Sequence, residues 1–556
     1  MPHDVDVLII GAGMSGLGFA VQLIRNYNTR NFELVEKSTE IGGTWWLNSY
    51  PGCGCDANIL RALVPSHFFS YSFAPNPNWS HKFALQPEIH AYFQDVAKQY
   101  DIAKHVRFQS VVESAQWEAT SGTWLVTIQD LSSAEVYQRR CKVLISAVGA
   151  LSIPKKCDIN GSSAFKGSMF HTAQWDHSFD WKDKDVVMIG NGCSATQIVP
   201  VISDGPGAVR KVTQFSRQSH WLAERPNPKY SSFFKWTMKW VPFAMLLYRT
   251  SIFCEKELAF SGFPIESGAT TRKQWEQDAG DYIRKHAPAE HRDFLVPKTQ
   301  IACKRRVNDT DYLLSLHRPN VELVYGDTVK EIVEDGIRTA SGKHIHADAI
   351  VLAHGFETHK FLFPMKIYGE DGISLEDHWD NVSEGSPSAY FGTCVSGFPN
   401  FFIMMGPNTL SGHLSVIYTS ECQINFTLRV IRPILSALKA SRSKFPSLKK
   451  VSDVVSVKAV AEQRDIDAVQ EKAKGVVWAS GCSSWFIDTK TGRNTIMYPD
   501  WQYKFWLRSI FIPWGDFEYR SSKDVEAIGS AKAGYMGGAL TAAAISVGAW
   551  LLHSRK

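Results

Sequence analysis

The chain has 556 residues, of which 44% are hydrophobic and 21% are charged. That length exceeds what one hydrophobic core usually serves, so two or three domains are expected, and the composition excludes a disordered or fibrous protein. The net charge of +5 comes from 60 basic and 55 acidic residues. Because no long run of Lys and Arg concentrates this charge, the sequence argues against a nucleic-acid partner.

The first predicted unit is a strand, a glycine turn and a helix, in the stretch DVDVLIIGAGMSGLGFAVQLIRNY. Its turn carries Gly11, Gly13 and Gly16 in the spacing GxGxxG. The first glycine permits a tight turn, the second lets a pyrophosphate approach the backbone, and the third allows close packing of strand and helix. The pyrophosphate would lie at the positive end of the helix dipole. The next strand, NFELVEK, ends at Glu36, whose carboxylate suits ribose hydroxyls and repels a 2′-phosphate. This unit is therefore predicted to bind FAD or NAD rather than NADP.

A second unit repeats this pattern in DVVMIGNGCSATQIVPVI, with Gly190, Gly192 and Ala195 in the turn. No acid ends the following strand, KVTQFSR. Arg217 stands there instead, and a guanidinium suits a 2′-phosphate by charge and by bidentate geometry. With Lys304 and Arg305 as further cations, the second site is predicted to bind NADPH. Two such sites predict an FAD that NADPH reduces, with oxygen as the next electron acceptor, because the sequence has no CxxC pair for a disulfide reductase.

The remaining elements are predicted in chain order. Residues 124–130 and 141–149 read as further strands, and residues 348–356 read as a strand that returns to the first sheet. Residues 220–300 are mostly helical in character and aromatic. Within them, residues 231–253 mix Phe, Trp, Met and Leu with three basic residues. Two interpretations stay open for that stretch: a helical lid over a substrate pocket, which is the commoner arrangement, and an amphipathic helix on a membrane surface.

The ends of the chain and its 10 cysteines bear on location. No basic and apolar leader precedes the first strand, which argues against a secretory signal peptide. The cysteines show no spacing suited to zinc, no metal is expected, and Cys53 and Cys55 are predicted to be reduced thiols. Residues 535–552 carry no charge, which is marginal for a bilayer span of about 20 residues. An intracellular protein is predicted, and two locations stay open: anchored to a membrane through this tail, or cytoplasmic.

The stretch FKGSMFHTAQWD matches the pattern FxGxxxHTxxW(P/D) at each specified position: Phe165, Gly167, His171, Thr172, Trp175 and Asp176. Further matching stretches are GGTWW (42–46), YPGCGCD (50–56), CKRR (303–306), AHGF (353–356) and PNFFIMMGPN (399–408). Over residues 5–510 the chain resembles the class B flavoprotein monooxygenases. Within them it is most similar to the Baeyer-Villiger monooxygenases, particularly fungal members from secondary metabolism.

This resemblance implies an α/β fold with two Rossmann-like dinucleotide-binding domains, for FAD and for NADP. The FAD-binding domain would comprise residues 1–155 and 336–520, and the NADP-binding domain residues 156–219 and 290–335. Residues 220–289 would form a helical insertion. Residues 521–556 would form a C-terminal tail with a candidate membrane helix.

The resemblance also implies the site residues. Those expected at FAD are Gly11, Gly13, Ser15, Gly16, Glu36, Thr44, Trp45, Trp46, Leu47, Gly54, Cys55, Asp56, Phe69 and Val112. Those expected at NADPH are Gly190, Asn191, Gly192, Cys193, Ser194, Ala195, Thr196, Gln197, Arg217, Gln218, Lys304 and Arg305. Arg305 would be the catalytic cation beside the flavin, and Asp56 its partner carboxylate. His171 would help to set the position of the domains rather than touch substrate.

One departure from the family pattern is the insertion ANILRAL, residues 57–63, directly after Asp56. Seven extra residues here could move Asp56 or Phe69. A harmless bulge, a substrate-shaping loop and an error in the gene sequence all stay open, and an inactive protein would also be compatible with the insertion.

The implied activity is an FAD- and NADPH-dependent monooxygenation, most simply the Baeyer-Villiger oxidation of a bulky polyketide or terpenoid ketone to an ester or lactone. Two alternatives stay open. One is an N- or S-oxygenating or hydroxylating flavin monooxygenase, and the other is a non-catalytic, membrane-tethered flavoprotein. The expected partners are a small organic substrate and O2.

Overall fold

The computed structural model describes residues 3–55, 64–441, 452–482 and 484–522. The predicted catalytic Asp56, the insertion 57–63 and the apolar tail 535–552 lie outside these ranges. The strands, in chain order, are β1 (Val5–Ile10), β2 (Phe32–Val35), β3 (Val106–Arg107), β4 (Ser110–Glu118), β5 (Thr123–Asp130), β6 (Val136–Ser146), β7 (Ser168–His171), β8 (Asp185–Ile189), β9 (Lys211–Phe215), β10 (Leu222–Glu224), β11 (Val307–Asp309), β12 (Val321–Val324), β13 (Val329–Val333), β14 (Gly336–Thr339), β15 (His344–His346), β16 (Ala349–Leu352), β17 (Lys366–Tyr368), β18 (Phe401–Ile403), β19 (Val454–Val457) and β20 (Phe517–Arg520).

The helices follow the same order: α1 (Met14–Tyr27), α2 (Thr44–Leu47), α3 (Gln86–Gln99), α4 (Cys193–Ile202), α5 (Ser232–Trp240), α6 (Ala244–Leu258), α7 (Ala269–His286), α8 (Arg292–Leu295), α9 (Tyr312–Ser315), α10 (Leu375–Ser383), α11 (Val416–Val430), α12 (Arg432–Ser441), α13 (Ala459–Lys474) and α14 (Gln502–Ile510). The helices α5, α6, α7 and α8 confirm the mostly helical character predicted for residues 220–300.

The first sheet has the strand order β17-β4-β5-β6-β1-β2-β3, with β18 joined to β6. Strand β1 runs parallel to both β2 and β6, with Ile9 opposite Leu34 and Ile145. All three of these residues are fully buried, as expected for a parallel strand that is covered on both faces. This sheet confirms the first strand–turn–helix unit and the strands predicted near residues 124–130 and 141–149.

The second sheet has the strand order β12-β9-β8-β16-β7, and every pairing in it is parallel. Its core contains Val186 and Met188 from β8 together with Ile198 and Val199 from α4. The apolar runs of β8 and β9, with the glycine turn between β8 and α4, form the second predicted unit.

The strand predicted within residues 348–356 exists, but its predicted sheet was wrong. Strand β16 lies between β8 and β7 in the second sheet, with Val351 opposite Met188 and Phe170. The strands that return to the first sheet are β17, which pairs with β4, and β18, where Phe401 lies opposite Leu144 of β6. The second sheet therefore extends past residue 335, where the NADP-binding domain was predicted to end. The other domain limits stay predictions.

The cysteines differ from the prediction at one pair. Cys303 and Cys482 form a disulfide, with their Cα atoms 6.3 Å apart. The two residues are 179 positions apart in the sequence, so no local spacing indicated the bond. Cys53 and Cys55 are buried thiols that form no disulfide, as predicted.

Within the described ranges, no helix combines the length and the apolar character that crossing a bilayer requires.

Candidate functional site

A single cavity of about 950 Å³ touches both glycine turns. Gly11 and Gly13 of the first turn line it, and so do Gly190 and Gly192 of the second turn. Each turn comes at the carboxyl end of a parallel strand, where the ligand sites of open α/β sheets are usually found. The two predicted nucleotide sites therefore share one space.

In the first turn, each glycine has the local role that the spacing predicts. Gly11 has a φ of +100°, and a Cβ there would lie 2.7 Å from the carbonyl oxygen of Ala147. A Cβ on Gly16 would collide with the carbonyl oxygen of Gly11, so this position holds α1 close against the turn. Gly13 lies against Gly43, because a Cβ added to Gly13 would be 3.5 Å from the Cα of Gly43. The turn is left open toward the cavity, as a pyrophosphate requires.

Glu36 follows β2 directly and lines the cavity beside this turn. Its side chain is 5% exposed. Oxygen Oε2 accepts a hydrogen bond from the Ala12 N–H at 2.7 Å, and Oε1 accepts one from the Ser38 N–H at 2.8 Å. These backbone donors hold the carboxylate in place, and each oxygen keeps a further lone pair for a ribose hydroxyl.

The second turn has the same shape but a different charge. Gly190 has a φ of +122°, and a Cβ on Gly192 would meet nothing within 4 Å. Arg217 is exposed just after β9 and lines the cavity. The carbonyl of Gln218 accepts a hydrogen bond from Asn191 Nδ2 at 2.8 Å, and Gln218 Oε1 accepts one from Lys304 Nζ. Arg217 and Lys304 thus give this end of the cavity a positive rim, which fits a 2′-phosphate.

The segment Lys304–Arg305 lies on the cavity wall directly after the disulfide-bonded Cys303. Burial lowers the pKa of Lys304 from its ordinary value. His220 also lines the cavity, although sequence reasoning missed it. Burial, and then the charge of Lys304, lower the pKa of His220 to about 4, so the ring is neutral. The sequence offered no signal for this histidine beyond its position close to Arg217.

Most of the predicted cofactor residues that the structure describes line this cavity: Gly11, Gly13, Ser15, Glu36, Thr44, Trp45, Leu47, Gly54, Cys55, Phe69, Val112, Gly190, Asn191, Gly192, Cys193, Ser194, Arg217, Gln218, Lys304 and Arg305. Gly16, Ala195, Thr196 and Gln197 do not line it, because they lie on the inner sides of α1 and α4. Trp46 does not line the cavity either. Its side chain is 38% exposed and packs against His90, with ring centroids 5.4 Å apart, instead of facing the cavity.

The stretch 165–176 forms the edge strand β7 and the turn that follows it. His171 is the last residue of β7; its Nδ1 accepts from the Ala173 N–H at 3.1 Å, and its Nε2 donates to the Gly355 carbonyl at 3.0 Å. Burial lowers the pKa of His171 to about 4, which keeps this neutral tautomer. Thr172 lines the cavity. The buried Trp175 has its ring centroid 6.4 Å from that of Tyr50, which follows the first unit in the sequence.

A second contact between the units involves α4. Gln197 on this helix donates from Nε2 to the Gly54 carbonyl at 3.4 Å and accepts from the Tyr50 hydroxyl at 3.1 Å. Gly52, with a φ of +78°, lies so close that an added Cβ would collide with the Gln197 carbonyl. The helix that follows the second glycine turn is therefore packed directly on residues 50–54, which follow the first.

Comparison with known proteins decides the family. A model of the flavin-binding monooxygenase-like family matches residues 4–250. A Baeyer-Villiger monooxygenase of Streptomyces coelicolor is 35% identical over 502 residues, which cover 89% of this chain and 89% of that protein. The chain belongs to the Baeyer-Villiger monooxygenase family. The predicted family and enzyme class are thereby confirmed: it is a flavoprotein monooxygenase that depends on FAD and NADPH.

Two further similarities extend over nearly the whole chain. The FAD-binding monooxygenase ktnD of Aspergillus niger is 31% identical over 547 residues, which cover 96% of this chain and 85% of that one. The crystal structure of OTEMO in complex with FAD and NADP covers 94% of this chain and all of that chain, with a TM-score of 0.77 and 24% identity. This second similarity confirms the predicted α/β fold with its Rossmann-type sheets.

In this Baeyer-Villiger family member, the apolar wall of the cavity comes from residues that were not among the predicted site residues: Phe356, Leu362, Phe363, Met405, Leu410, Val416 and Trp485. Two of them, Phe356 and Met405, lie in stretches that carry the family resemblance. Among the described residues, none between 221 and 303 lines the cavity. The interpretation of residues 231–253 as a lid over the pocket was therefore wrong. Their outer surface is exposed instead, since Phe233, Trp240 and Phe243 are among the most exposed large apolar side chains of the chain.

Proposed function

We propose that the protein oxidises a bulky apolar ketone to an ester or lactone. The observation that carries this proposal is the one cavity that both glycine turns, the Lys304–Arg305 segment and an apolar wall share. In the overall reaction, ketone, O2, NADPH and a proton give ester, water and NADP⁺. One carbon–carbon bond breaks, and two carbon–oxygen bonds replace it through the inserted atom.

The first turn fits FAD. Glu36 lines the cavity, and two backbone N–H groups fix its carboxylate by donating hydrogen bonds to it. The carboxylate would therefore be in place to accept hydrogen bonds from the ribose hydroxyls. The pyrophosphate would lie over Gly13 at the beginning of α1. When bound, FAD supplies electron transfer from the reductant to O2.

The second turn fits NADPH. Gly192 leaves open space in front of α4, whose first N–H groups can bind the pyrophosphate. Arg217 and Lys304 would bind the 2′-phosphate with charge-assisted hydrogen bonds. Gln218 positions Lys304 by accepting a hydrogen bond from its ammonium group.

Arg305 would act on the substrate itself. Negative charge develops on the ketone oxygen when its carbonyl carbon is attacked, and a fixed guanidinium beside it stabilises that charge. The predicted partner carboxylate, Asp56, lies outside the described residues. Because His220 is neutral, the positive charge on this part of the cavity wall comes from Lys304 and Arg305.

The apolar wall suits a bulky substrate with few polar groups. Phe363, Leu410 and Trp485 offer large apolar surfaces, which bind a hydrocarbon skeleton without specific hydrogen bonds. Two relatives are FAD-binding monooxygenases of Aspergillus species, ktnD and tazF. Their similarity supports a place in fungal secondary metabolism, with a polyketide or terpenoid ketone as substrate. Anchoring through residues 535–552 belongs to the same proposal.

The test uses purified full-length protein with NADPH and a panel of bulky ketones. The expected product has gained one oxygen atom and is cleaved by alkaline hydrolysis. Arg305→Ala should retain bound FAD and lose about 100- to 1000-fold in ester formation, the usual cost of removing one such stabilising group. The matched control is Lys298→Ala, an exposed residue of the same segment that does not line the cavity. Unchanged ester formation by Arg305→Ala would contradict the proposed role.

Product analysis separates the alternatives. If amines or sulfides gain oxygen while every ketone is left unchanged, the protein is an N- or S-oxygenating enzyme. If NADPH fails to bleach the absorbance of the bound flavin, the protein is a non-catalytic flavoprotein.

A further inference from the structure

Two helices of the insertion carry exposed apolar side chains that do not line the cavity. Helices α5 and α6 are joined by a short turn, and the following side chains, here called the hairpin face, are each between 54% and 76% exposed: Phe233, Trp236, Trp240, Phe243, Leu246 and Leu247. No residue of α5 is buried. Contiguous apolar surface of this kind usually marks an interaction site rather than ordinary solvent-exposed surface.

The hairpin is firmly held on its other side. The hydroxyls of Tyr230 and Tyr248 are 3.0 Å apart, and the rings of Tyr230 and Phe234 stack with centroids 4.6 Å apart. Arg249 donates from Nη1 to the hydroxyl of Ser70 at 2.8 Å and to the carbonyl of His67. The inner side chains thus fix the hairpin to the first unit, so the exposure of the outer ones belongs to the folded protein.

Within residues 226–254, which form the hairpin, the charged side chains are all basic, and Glu224 and Glu255 lie just outside this range. Residues 226–254 contain no Asp or Glu but include Lys229, Lys235 and Lys239. Lys239 lies over the ring of Trp240, with its Nζ 5.0 Å from the ring centroid. In the part of the chain that the structure describes, none of these three lysines forms an ion pair with a carboxylate. An occupant of this face must therefore bring both an apolar surface and negative charge.

This requirement discriminates between the candidate occupants. A two-fold contact with a second copy would bring the three lysines of one copy close to the same three lysines of the other. Residues 226–254 contain no acidic side chain that could neutralise their charge. The chain's own apolar segment 535–552 carries no charge, and the residues after it, 553–556, are His, Ser, Arg and Lys. A membrane surface with anionic headgroups supplies both properties.

We propose that the hairpin face docks on a lipid bilayer that contains anionic headgroups. Phe243, Leu246 and Leu247 would enter the boundary between headgroups and acyl chains, and Trp236 and Trp240 would lie at headgroup level, where indole rings are preferred. The lysines would meet the lipid phosphates, so binding should weaken as salt is added. None of these residues lines the cavity, so docking and oxygenation can be measured separately.

The experiment is sedimentation of the full-length protein with phosphatidylcholine vesicles, prepared with and without phosphatidylserine. We expect wild type to bind the phosphatidylserine vesicles. The triple variant Trp240→Glu/Phe243→Glu/Leu247→Glu should lose at least about tenfold in bound fraction. The matched control is Leu131→Glu/Val136→Glu, an exposed apolar pair at the β5–β6 turn, which should bind like wild type. Flavin content and thermal midpoint verify that each variant is folded.

A second variant tests the charge. Lys235→Ser/Lys239→Ser should keep the apolar face but lose the preference for phosphatidylserine over phosphatidylcholine. The proposal is overturned if wild type does not bind anionic vesicles, or if the triple variant binds as well as wild type, which would assign binding to another segment such as the tail. It is also overturned if light scattering without vesicles shows wild type as a dimer and the triple variant as a monomer.

Discussion

The two glycine turns of this protein have nearly the same backbone but opposite charge beside them. Each begins with a left-handed glycine, Gly11 or Gly190, between a parallel strand and a helix. After the next strand, the first unit presents the buried Glu36, held by two backbone N–H groups, and the second presents the exposed Arg217. The comparison teaches that two turns with similar backbones can differ in charge through one side chain after the next strand, and on the proposed function this side chain would distinguish the two nucleotides.

The largest expected effect concerns the third position of each turn. Gly16→Ala would drive a methyl group into the carbonyl of Gly11, so we expect a loss of about 3 kcal/mol in the free energy of unfolding and no bound flavin. The reverse change in the second unit, Ala195→Gly, should cost only about 1 kcal/mol. Urea unfolding and the ratio of flavin to protein absorbance measure both. Normal flavin content in the Gly16→Ala protein would contradict this prediction, because it would show that the first turn accepts a methyl group at its third position as the second turn does.

Arg217→Ala should erase the charge difference between the turns. Loss of charge-assisted hydrogen bonds to a 2′-phosphate costs about 1.5–3 kcal/mol, so we expect the KM for NADPH to rise about 10- to 100-fold while the KM for NADH changes little. Steady-state kinetics with both nucleotides give the result. Arg210→Ala is the matched control, because Arg210 pairs with Asp185 and does not line the cavity. An equal rise for NADPH and NADH would mean that Arg217 does not read the phosphate.

Glu36→Gln should weaken FAD binding about tenfold, corresponding to about 1.4 kcal/mol. An amide has one acceptor oxygen, so one of the two backbone N–H bonds of this side chain would be lost. Titration of the flavin-free protein with FAD measures the dissociation constant. Glu40→Gln is the comparison variant, since Glu40 accepts its hydrogen bond from the adjacent Ile41 N–H. Unchanged affinity in Glu36→Gln would remove the carboxylate from the flavin site.

The last comparison separates two buried histidines, one from each unit, by the pH dependence of the free energy of unfolding. Burial lowers the pKa of both His67 and His171 to about 4, so each takes up its proton more readily in the unfolded chain. Stability from each is present above pH 6.5 and is lost as the pH falls toward 4, by up to about 1.4 kcal/mol per pH unit. His67→Phe should flatten this dependence with little cost at pH 7, because neither ring nitrogen of His67 has a hydrogen-bond partner among the described residues.

His171→Phe should behave differently, because it removes two hydrogen bonds. We expect it to cost about 1–3 kcal/mol at pH 7 while flattening the same acid limb. Chemical unfolding at several pH values compares the two variants. Equal costs at pH 7 would contradict the distinction between the two environments.

The parts of the fold that sequence predicted are those set by local pattern. The apolar run and glycine turn of β1–α1, its counterpart in β8–α4 and the mostly helical character of residues 220–300 were all predicted from neighbouring residues. Glu36 and Arg217 were selected for the same reason, since each follows a strand directly after a glycine turn. The helix dipole, the turn geometry and the strand period act over a few residues, so one sequence suffices.

The errors concern contacts between distant segments. An apolar run identifies β16 as a strand, but its neighbours β7 and β8 come from residues far earlier in the chain. Cys303 and Cys482 likewise meet only in the folded protein. Apolar residues of α5 and α6 have the same spacing whether they cover a pocket or face outward, so their exposure could not be predicted.

The hydrogen bonds of Gln197 with Gly54 and Tyr50 connect the helix after the second turn to the segment after the first, and on the proposed function they would couple the two nucleotide sites. The helix beyond the second turn rests on the segment beyond the first, so a ligand that orders one of these segments lowers the entropic cost of ordering the other. Such coupling is reciprocal. If bound NADP⁺ raises the affinity for FAD by some factor, bound FAD raises the affinity for NADP⁺ by the same factor. An enzyme that retains its flavin would therefore also release NADP⁺ late in the reaction.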